Sequence, residues 1–336
     1  MRYESILDAI GHTPLVRLNQ LSRHLPCAIY AKLEFLNPGG SVKDRIGLYM
    51  IQQAERRGEI GPGATIVECT SGNTGMGLAL FAAGRGYKTV FTIADKQSSE
   101  KIDMLRAMGA QVVVCPTDVP PDDPRGYIQV ARQLAQDLPG AFLCNQYDNP
   151  DNTLAHYAST GPEIWNDTGG LVTHFVCGMG TCGTISGTGR YLKEQNAMVR
   201  VIGVDPQGSI FHDLFHRGVA VPPHVYKLEG IGEDFIPKAL DWSVIDDVIQ
   251  VSDKDSFVMA RQLARAEGLF AGGSSGAAML AALQVASTLG PNDQVVVLLP
   301  DGGRQYLGKL YNDDWMREHG YLETSPDAAP PASGQS

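Results

Sequence analysis

The chain has 336 residues, 43% of them hydrophobic, and carries 27 basic against 37 acidic side chains for a formal charge of −10. That length leaves room for two lobes with a cleft between them, and an acidic balance without any block of Lys or Arg argues against nucleic acid or an anionic membrane as a partner. No apolar run approaches the roughly 20 residues that span a bilayer, and the first residues lack the basic and apolar regions of a secretory leader, so a cytoplasmic protein with no membrane partner is expected.

Along the chain, 14–18 and Ala28–Leu33 read as the first two strands, and Lys43 follows in the turn Gly39-Gly40-Ser41-Val42-Lys43-Asp44-Arg45 that opens a helix. β-branched runs at 64–68, 88–93, 111–114, 173–176, 200–204 and 294–299 then alternate with helix-like segments at 75–85, 98–108 and 185–195. This is the pattern of right-handed crossovers in mostly parallel sheets, an α/β fold. Residues 117–124 form a Pro/Asp-rich surface loop, 277–286 a helix of small residues, and 321–336, with no large apolar residue beyond 324, a disordered tail. The cysteines Cys27, Cys69, Cys115, Cys144, Cys177 and Cys182 contain no C-x-x-C pair and lie mostly in apolar runs, so neither a disulfide framework nor a metal site is expected.

Three glycine-rich turns carry candidate chemistry. Thr70-Ser71-Gly72-Asn73-Thr74-Gly75 links a strand to a helix, with N–H groups and hydroxyl and amide donors suited to a carboxylate. Gly178-Met179-Gly180-Thr181-Cys182-Gly183-Thr184 also joins strand to helix and suits a phosphate monoester, though it lacks the lysine of a Walker loop. Gly272-Gly273-Ser274-Ser275-Gly276 places a hydroxyl at a helix start. Any one of these glycine sets is also explained as a tight turn between strand and helix.

Taken together, Gly39 to Arg45, Thr70 to Gly75, Gly180 to Thr184, Gly273-Ser274 and Leu299-Pro300-Asp301 resemble, in order and spacing, the motifs of fold type II pyridoxal-phosphate enzymes, the family of cysteine synthase and cystathionine β-synthase. The likeness runs from about Tyr3 to Trp315. It is closer to the cystathionine β-synthase catalytic core through Gly11 to Leu18, Ser98 to Lys101, Gln146-Tyr147, Leu154-Ala155-His156-Tyr157 and Glu229 to Pro237.

The resemblance implies a two-domain, tryptophan synthase β-like fold with mostly parallel sheets flanked by helices. Residues 1–43 and 149–320 would form a large cofactor-binding domain and 44–148 a smaller mobile one. It implies pyridoxal 5′-phosphate as cofactor, held by Lys43 as a Schiff base, by Gly180, Thr181, Cys182, Gly183 and Thr184 at its phosphate, by Asn73 at its phenolic oxygen and by Ser274 at its pyridine nitrogen. A lysine in a dry pocket has a lowered pKa, which lets Lys43 serve as nucleophile and then as base. A neutral hydroxyl at the pyridine nitrogen favours elimination over transamination. Cys182 stands where the family's loop usually has glycine.

The implied reaction is β-replacement on L-serine or an activated serine by a thiol. With homocysteine the product is cystathionine; with sulfide, cysteine; stopped half-way, the reaction is that of a desulfhydrase or dehydratase. Thr70, Ser71, Thr74 and Gln146 would bind the donor carboxylate. Tyr147 would meet the second substrate or the departing group, or else be a packed aromatic. Glu229 and Gly230, with Glu233 and Asp234, would line the acceptor's place with negative charge or form a solvated loop. The family also implies a homodimer, and neither haem nor a regulatory module pair is expected in this chain.

Overall fold

The computed structural model describes residues 2–120 and 122–323. Its strands are β1 (Leu15–Arg17), β2 (Ala28–Leu33), β3 (Thr65–Cys69), β4 (Lys88–Ala94), β5 (Gln111–Cys115), β6 (Ala141–Leu143), β7 (His174–Gly178), β8 (Arg200–Pro206), β9 (Asp247–Val251) and β10 (Gln294–Leu299). They form two sheets, one six-stranded in the order β1-β2-β10-β7-β8-β9 and one four-stranded in the order β5-β4-β3-β6. Only β1 runs antiparallel to its neighbour. The apolar run of β10 sits between β2 and β7 and is nearly all buried, as a strand covered on both faces must be.

The helices are α1 (Lys43–Arg56), α2 (Asn73–Ala82), α3 (Ser99–Ala107), α4 (Tyr127–Asp137), α5 (Pro150–Ala158), α6 (Thr160–Asp167), α7 (Gly183–Gln195), α8 (Phe211–Arg217), α9 (Asp253–Gln262), α10 (Gly273–Ala286) and α11 (Asp313–Glu318). The helical patterns expected at 75–85, 98–108 and 185–195 appear as α2, α3 and α7 with ends moved by a few residues. Helix α2 opens earlier, at Asn73, which places the second glycine turn at its first turn.

One helix crossing fixes where Lys43 lies. A Cβ on Gly77 would fall 2.7 Å from the Lys43 carbonyl, and one on Gly47 would fall 2.6 Å from the Gly77 carbonyl carbon. Glycine at both positions lets α1 and α2 touch backbone to backbone, bringing the start of α1 beside the 70–75 turn. The first turn of α1 is also held by buried charge. The Arg45 guanidinium lies 2.7 Å from both Glu34 and Glu163, and Lys32 lies 2.8 Å from Glu163. Removing one member of such a set leaves another charge buried without its partner, a cost of about 3–5 kcal/mol.

The tail expected from residue 321 is corrected at its start. Tyr321 and Leu322 pack on the larger core, with the Tyr321 ring 5.3 Å from that of Phe257. The rest of that tail, from Thr324 on, lies outside the described residues. All six cysteines are free and buried. Among the described residues no helix is long and apolar enough to cross a membrane, and no cluster of His, Cys, Asp or Glu suits a metal ion.

Candidate active site

The turn before Lys43 is tied to the end of β10. Val42 N–H donates to the Pro300 carbonyl at 2.8 Å, Ser41 bridges to Asp301, and Gly39 N–H donates to the Asp44 carboxylate at 2.5 Å. Lys43 thus starts α1 with a pinned backbone. Desolvation lowers the pKa of its amine. The Cys177 thiol is itself pushed up to about 12 and stays neutral, so the acidic pull on the ammonium falls to Asp301 and, once it is ionised, to Glu233. An amine held this way is nucleophilic nearer neutral pH than a surface lysine.

The 70–75 turn is built from beneath by Thr70. Its side chain is fully buried, and its oxygen accepts from Gly72 N–H at 2.9 Å and Gly75 N–H at 3.2 Å. Thr70 therefore shapes the cradle with its hydroxyl oxygen, which accepts both bonds and keeps its own proton. The N–H groups of Ser71, Asn73 and Thr74 meet no acceptor among the described residues and stand at the N-terminus of α2, where an anion is favoured. Thr74 donates its hydroxyl to Gln146 Oε1 at 2.6 Å, and Gln146 Nε2 donates to the Cys69 carbonyl at 2.8 Å, so the two side chains stiffen one wall.

The second loop is the stronger anion cradle. Between β7 and α7 the backbone N–H groups of Gly180, Thr181, Cys182, Gly183 and Thr184 have no acceptor among the described residues. The outer side of the loop is packed hard: a Cβ on Gly180 would fall 2.7 Å from the Gly230 carbonyl. Free donors at a helix N-terminus with a filled back suit a phosphate group, so the residues present fit a phosphorylated cofactor. Cys182 is the N-cap of α7 at φ 65°, in the left-handed region, with its buried thiol donating to the Gly180 carbonyl at 3.2 Å. Side chains with a Cβ cost about 1–2 kcal/mol there. Cys182→Gly is therefore expected to be more stable than Cys182→Ala by about 1 kcal/mol, the reverse of the usual helix order, read as urea midpoints of the two variants.

Ser274, on the first turn of α10, is buried and its hydroxyl has no partner among the described residues, which leaves its hydrogen-bonding capacity unspent. Asn73 donates to Asp301 Oδ2 at 2.9 Å, and Tyr306 donates to the same oxygen at 2.6 Å. Burial raises the Asp301 pKa, against the pull of Lys101 and these two hydrogen bonds. Sequence reasoning gave Asp301 only a motif position. It is the residue that fixes the Asn73 amide.

A cavity of about 290 Å³ opens beside Ser71, lined by Lys96, Tyr127, Tyr226, Glu233 and Phe235 among others. Tyr147 is buried behind it, with its hydroxyl 3.2 Å from that of Tyr127 and its ring 5.0 Å from Phe235. Burial, aided by Asp234, pushes the Glu233 carboxyl up to about 8 against the pull of Lys96, a hydrogen bond from Tyr147 and Lys43. Glu229, expected to offer its charge to a substrate, is corrected. Both its oxygens are engaged, by Lys101 at 2.7 Å and Lys309 at 2.6 Å, and the carboxylate is neutralised inside the protein. Gly230 takes part only as backbone, at φ 82° against Gly180.

The sequence profile of pyridoxal-phosphate dependent enzymes matches residues 6–301. A cystathionine β-synthase from Apis mellifera is 48% identical over 320 residues, 95% of this chain and 63% of that protein, so the chain spans less than two thirds of that relative. Cysteine synthase 1 of Neurospora crassa is 42% identical over 96% of this chain and 87% of its own length. The fold is similar to the crystal structure of an O-acetylserine dependent cystathionine β-synthase from Helicobacter pylori, with a TM-score of 0.84 and 42% identity over 92% of this chain and 98% of that one.

Proposed function

The chain belongs to the family of pyridoxal-phosphate dependent enzymes, and from that premise we propose that it catalyses β-replacement of serine or an activated serine by the thiol of homocysteine, giving cystathionine. Lys43, Asn73, Ser274 and the loop from Gly180 to Thr184 would hold pyridoxal 5′-phosphate, which when bound supplies the electron sink that acidifies the donor's Cα–H and lets the β-substituent leave. The N–H groups of Ser71, Asn73 and Thr74 bind the donor carboxylate and fix its orientation. Lys43 Nζ takes the proton from the donor's Cα and returns it after the new C–S bond has formed. Tyr147, buried behind the cavity with its hydroxyl against that of Tyr127, would stabilise the departing oxygen or the incoming thiol. We further propose that residues 44–148 close over the cleft to exclude water, and that the protein is a homodimer.

The observation that carries the acceptor assignment is Glu233, a carboxyl that lines the cleft cavity and is hydrogen-bonded by Tyr147. An acceptor with its own ammonium group needs such a partner, whereas sulfide does not. The relatives named cystathionine β-synthase point the same way. The Neurospora relative keeps cysteine synthesis from sulfide as the second reading.

Mass-spectrometric product identification tests this. The purified protein with pyridoxal phosphate is mixed with homocysteine plus either L-serine or O-acetylserine, and separately with O-acetylserine plus sulfide. Faster cystathionine formation is expected; faster cysteine formation would replace the assignment with a cysteine synthase.

A further inference from the structure

Helix α5 lies directly behind the 180–184 loop. A Cβ on Gly183 would fall 2.0 Å from Asn152 Oδ1, and one on Gly187 would fall 2.1 Å from the Thr153 carbonyl, so glycines in α7 admit α5 at backbone contact. Two α5 side chains one helical turn apart, Asn152 and His156, use that closeness to reach the loop's two threonines.

Asn152 Nδ2 donates to the Gln146 carbonyl at 2.7 Å and to Thr181 Oγ1 at 3.0 Å. The Gln146 carbonyl can only accept, which fixes the amide orientation and makes Thr181 the acceptor of the second bond. The Thr181 hydroxyl keeps its own proton for another partner. His156 is fully buried between two more hydroxyls, with Nδ1 2.9 Å from Thr160 Oγ1 and Nε2 3.1 Å from Thr184 Oγ1. Burial and the positive charges of Arg45 and Lys43 outweigh Glu163 and keep the imidazole neutral, so one ring nitrogen donates and the other accepts.

The two tautomers differ in what they leave for the loop. With the proton on Nδ1, Thr184 must spend its hydroxyl proton on Nε2 and turns only lone pairs toward a site rich in N–H donors. With the proton on Nε2, Thr160 donates to Nδ1, Nε2–H donates to Thr184, and the Thr184 proton is free. The second arrangement matches what Asn152 does at Thr181. We propose that Asn152 and His156, the latter as its Nε2–H tautomer, are positioning residues that donate to both threonine oxygens and so turn both O–H protons onto the anion held by Gly180 to Thr184. This rests on reading the loop as an anion site, and it adds two donors to the five backbone N–H groups that have no acceptor among the described residues.

The tautomer is read directly from long-range ¹H–¹⁵N spectra of histidine-labelled protein, without cofactor, with inorganic phosphate, and with pyridoxal phosphate. The expected pattern for His156 with phosphate or cofactor bound is Nε2–H; an Nδ1–H pattern there overturns the inference. Affinity for pyridoxal phosphate, titrated on the apoprotein by absorbance, is the second arm. His156→Gln places an amide near Nε2 and should bind within about threefold of the parent, while His156→Asn places it near Nδ1 and should bind about tenfold more weakly. A residue needed only for packing would not split these two variants in that direction, and equal affinities would overturn the proposal. If the parent takes inorganic phosphate with the Nε2–H pattern but not pyridoxal phosphate, the cofactor reading fails and this inference stands. If it takes neither, this inference falls.

Discussion

Lys43→Ala is expected to lower cystathionine formation by at least about 10³-fold, because it removes at once the amine that would hold the cofactor and the base that works at the donor's Cα. The loss should come without a matching loss of stability. Lys43 makes no salt bridge among the described residues, its backbone is held by Val42 to Pro300 and by the approach of Gly77, and alanine suits a first helical turn. Lys101 is the instructive contrast. It is the deeper of the two, and its ammonium is committed to Glu229 at 2.7 Å and to the Tyr306 hydroxyl at 3.0 Å, so removing it should show first as lost stability. Rates of product appearance and urea midpoints for the two variants separate chemistry from structure. A Lys43→Ala protein that still forms product at a tenth of the parent's rate would remove Lys43 from the mechanism.

The parts of this molecule that were legible in its sequence are those with a local cause. Six β-branched runs became strands, five of them largely buried in covered sheets and the sixth, 111–114, as the half-exposed edge strand β5, and the glycine turns at 70–75 and 178–184 lie where a strand feeds a helix. What was not legible depends on partners far along the chain. β6 and β9 carry too weak a pattern to separate from loops, and the segment that became α5 and α6 has no strong apolar period. Glu229 read as a free acid because Lys101 and Lys309 stand 128 and 80 positions away. The resemblance marked Leu154 to Tyr157 as a family segment, but only the contact of α5 with α7 gives His156 a role.

Glu233→Gln is expected to raise the KM for homocysteine by about 10- to 100-fold while the KM for the amino-acid donor moves little, because a charged hydrogen bond to an ammonium contributes about 1.5–3 kcal/mol. The proposed donor carboxylate site is the set of N–H groups of the 70–75 turn and not this carboxyl, although both face the same cavity, so the split between the substrates carries the diagnosis. The sign with pH follows from the raised carboxyl. With its pKa at about 8, Glu233 is mostly protonated at neutral pH, and a cationic acceptor must bind the minor ionised form or drive the proton off. Acceptor affinity should therefore strengthen as pH rises toward 8 and level above it, before the acceptor's own amine begins to lose its proton. The Gln variant has no such group and should be flat across the same range. Asp234, exposed and next in sequence, supplies the control: Asp234→Asn removes a charge that helps raise the Glu233 carboxyl, so the pH dependence should persist but move to lower pH. Equal slopes in parent and Glu233→Gln would detach the acceptor's ammonium from Glu233, and with it the main structural ground for preferring homocysteine over sulfide.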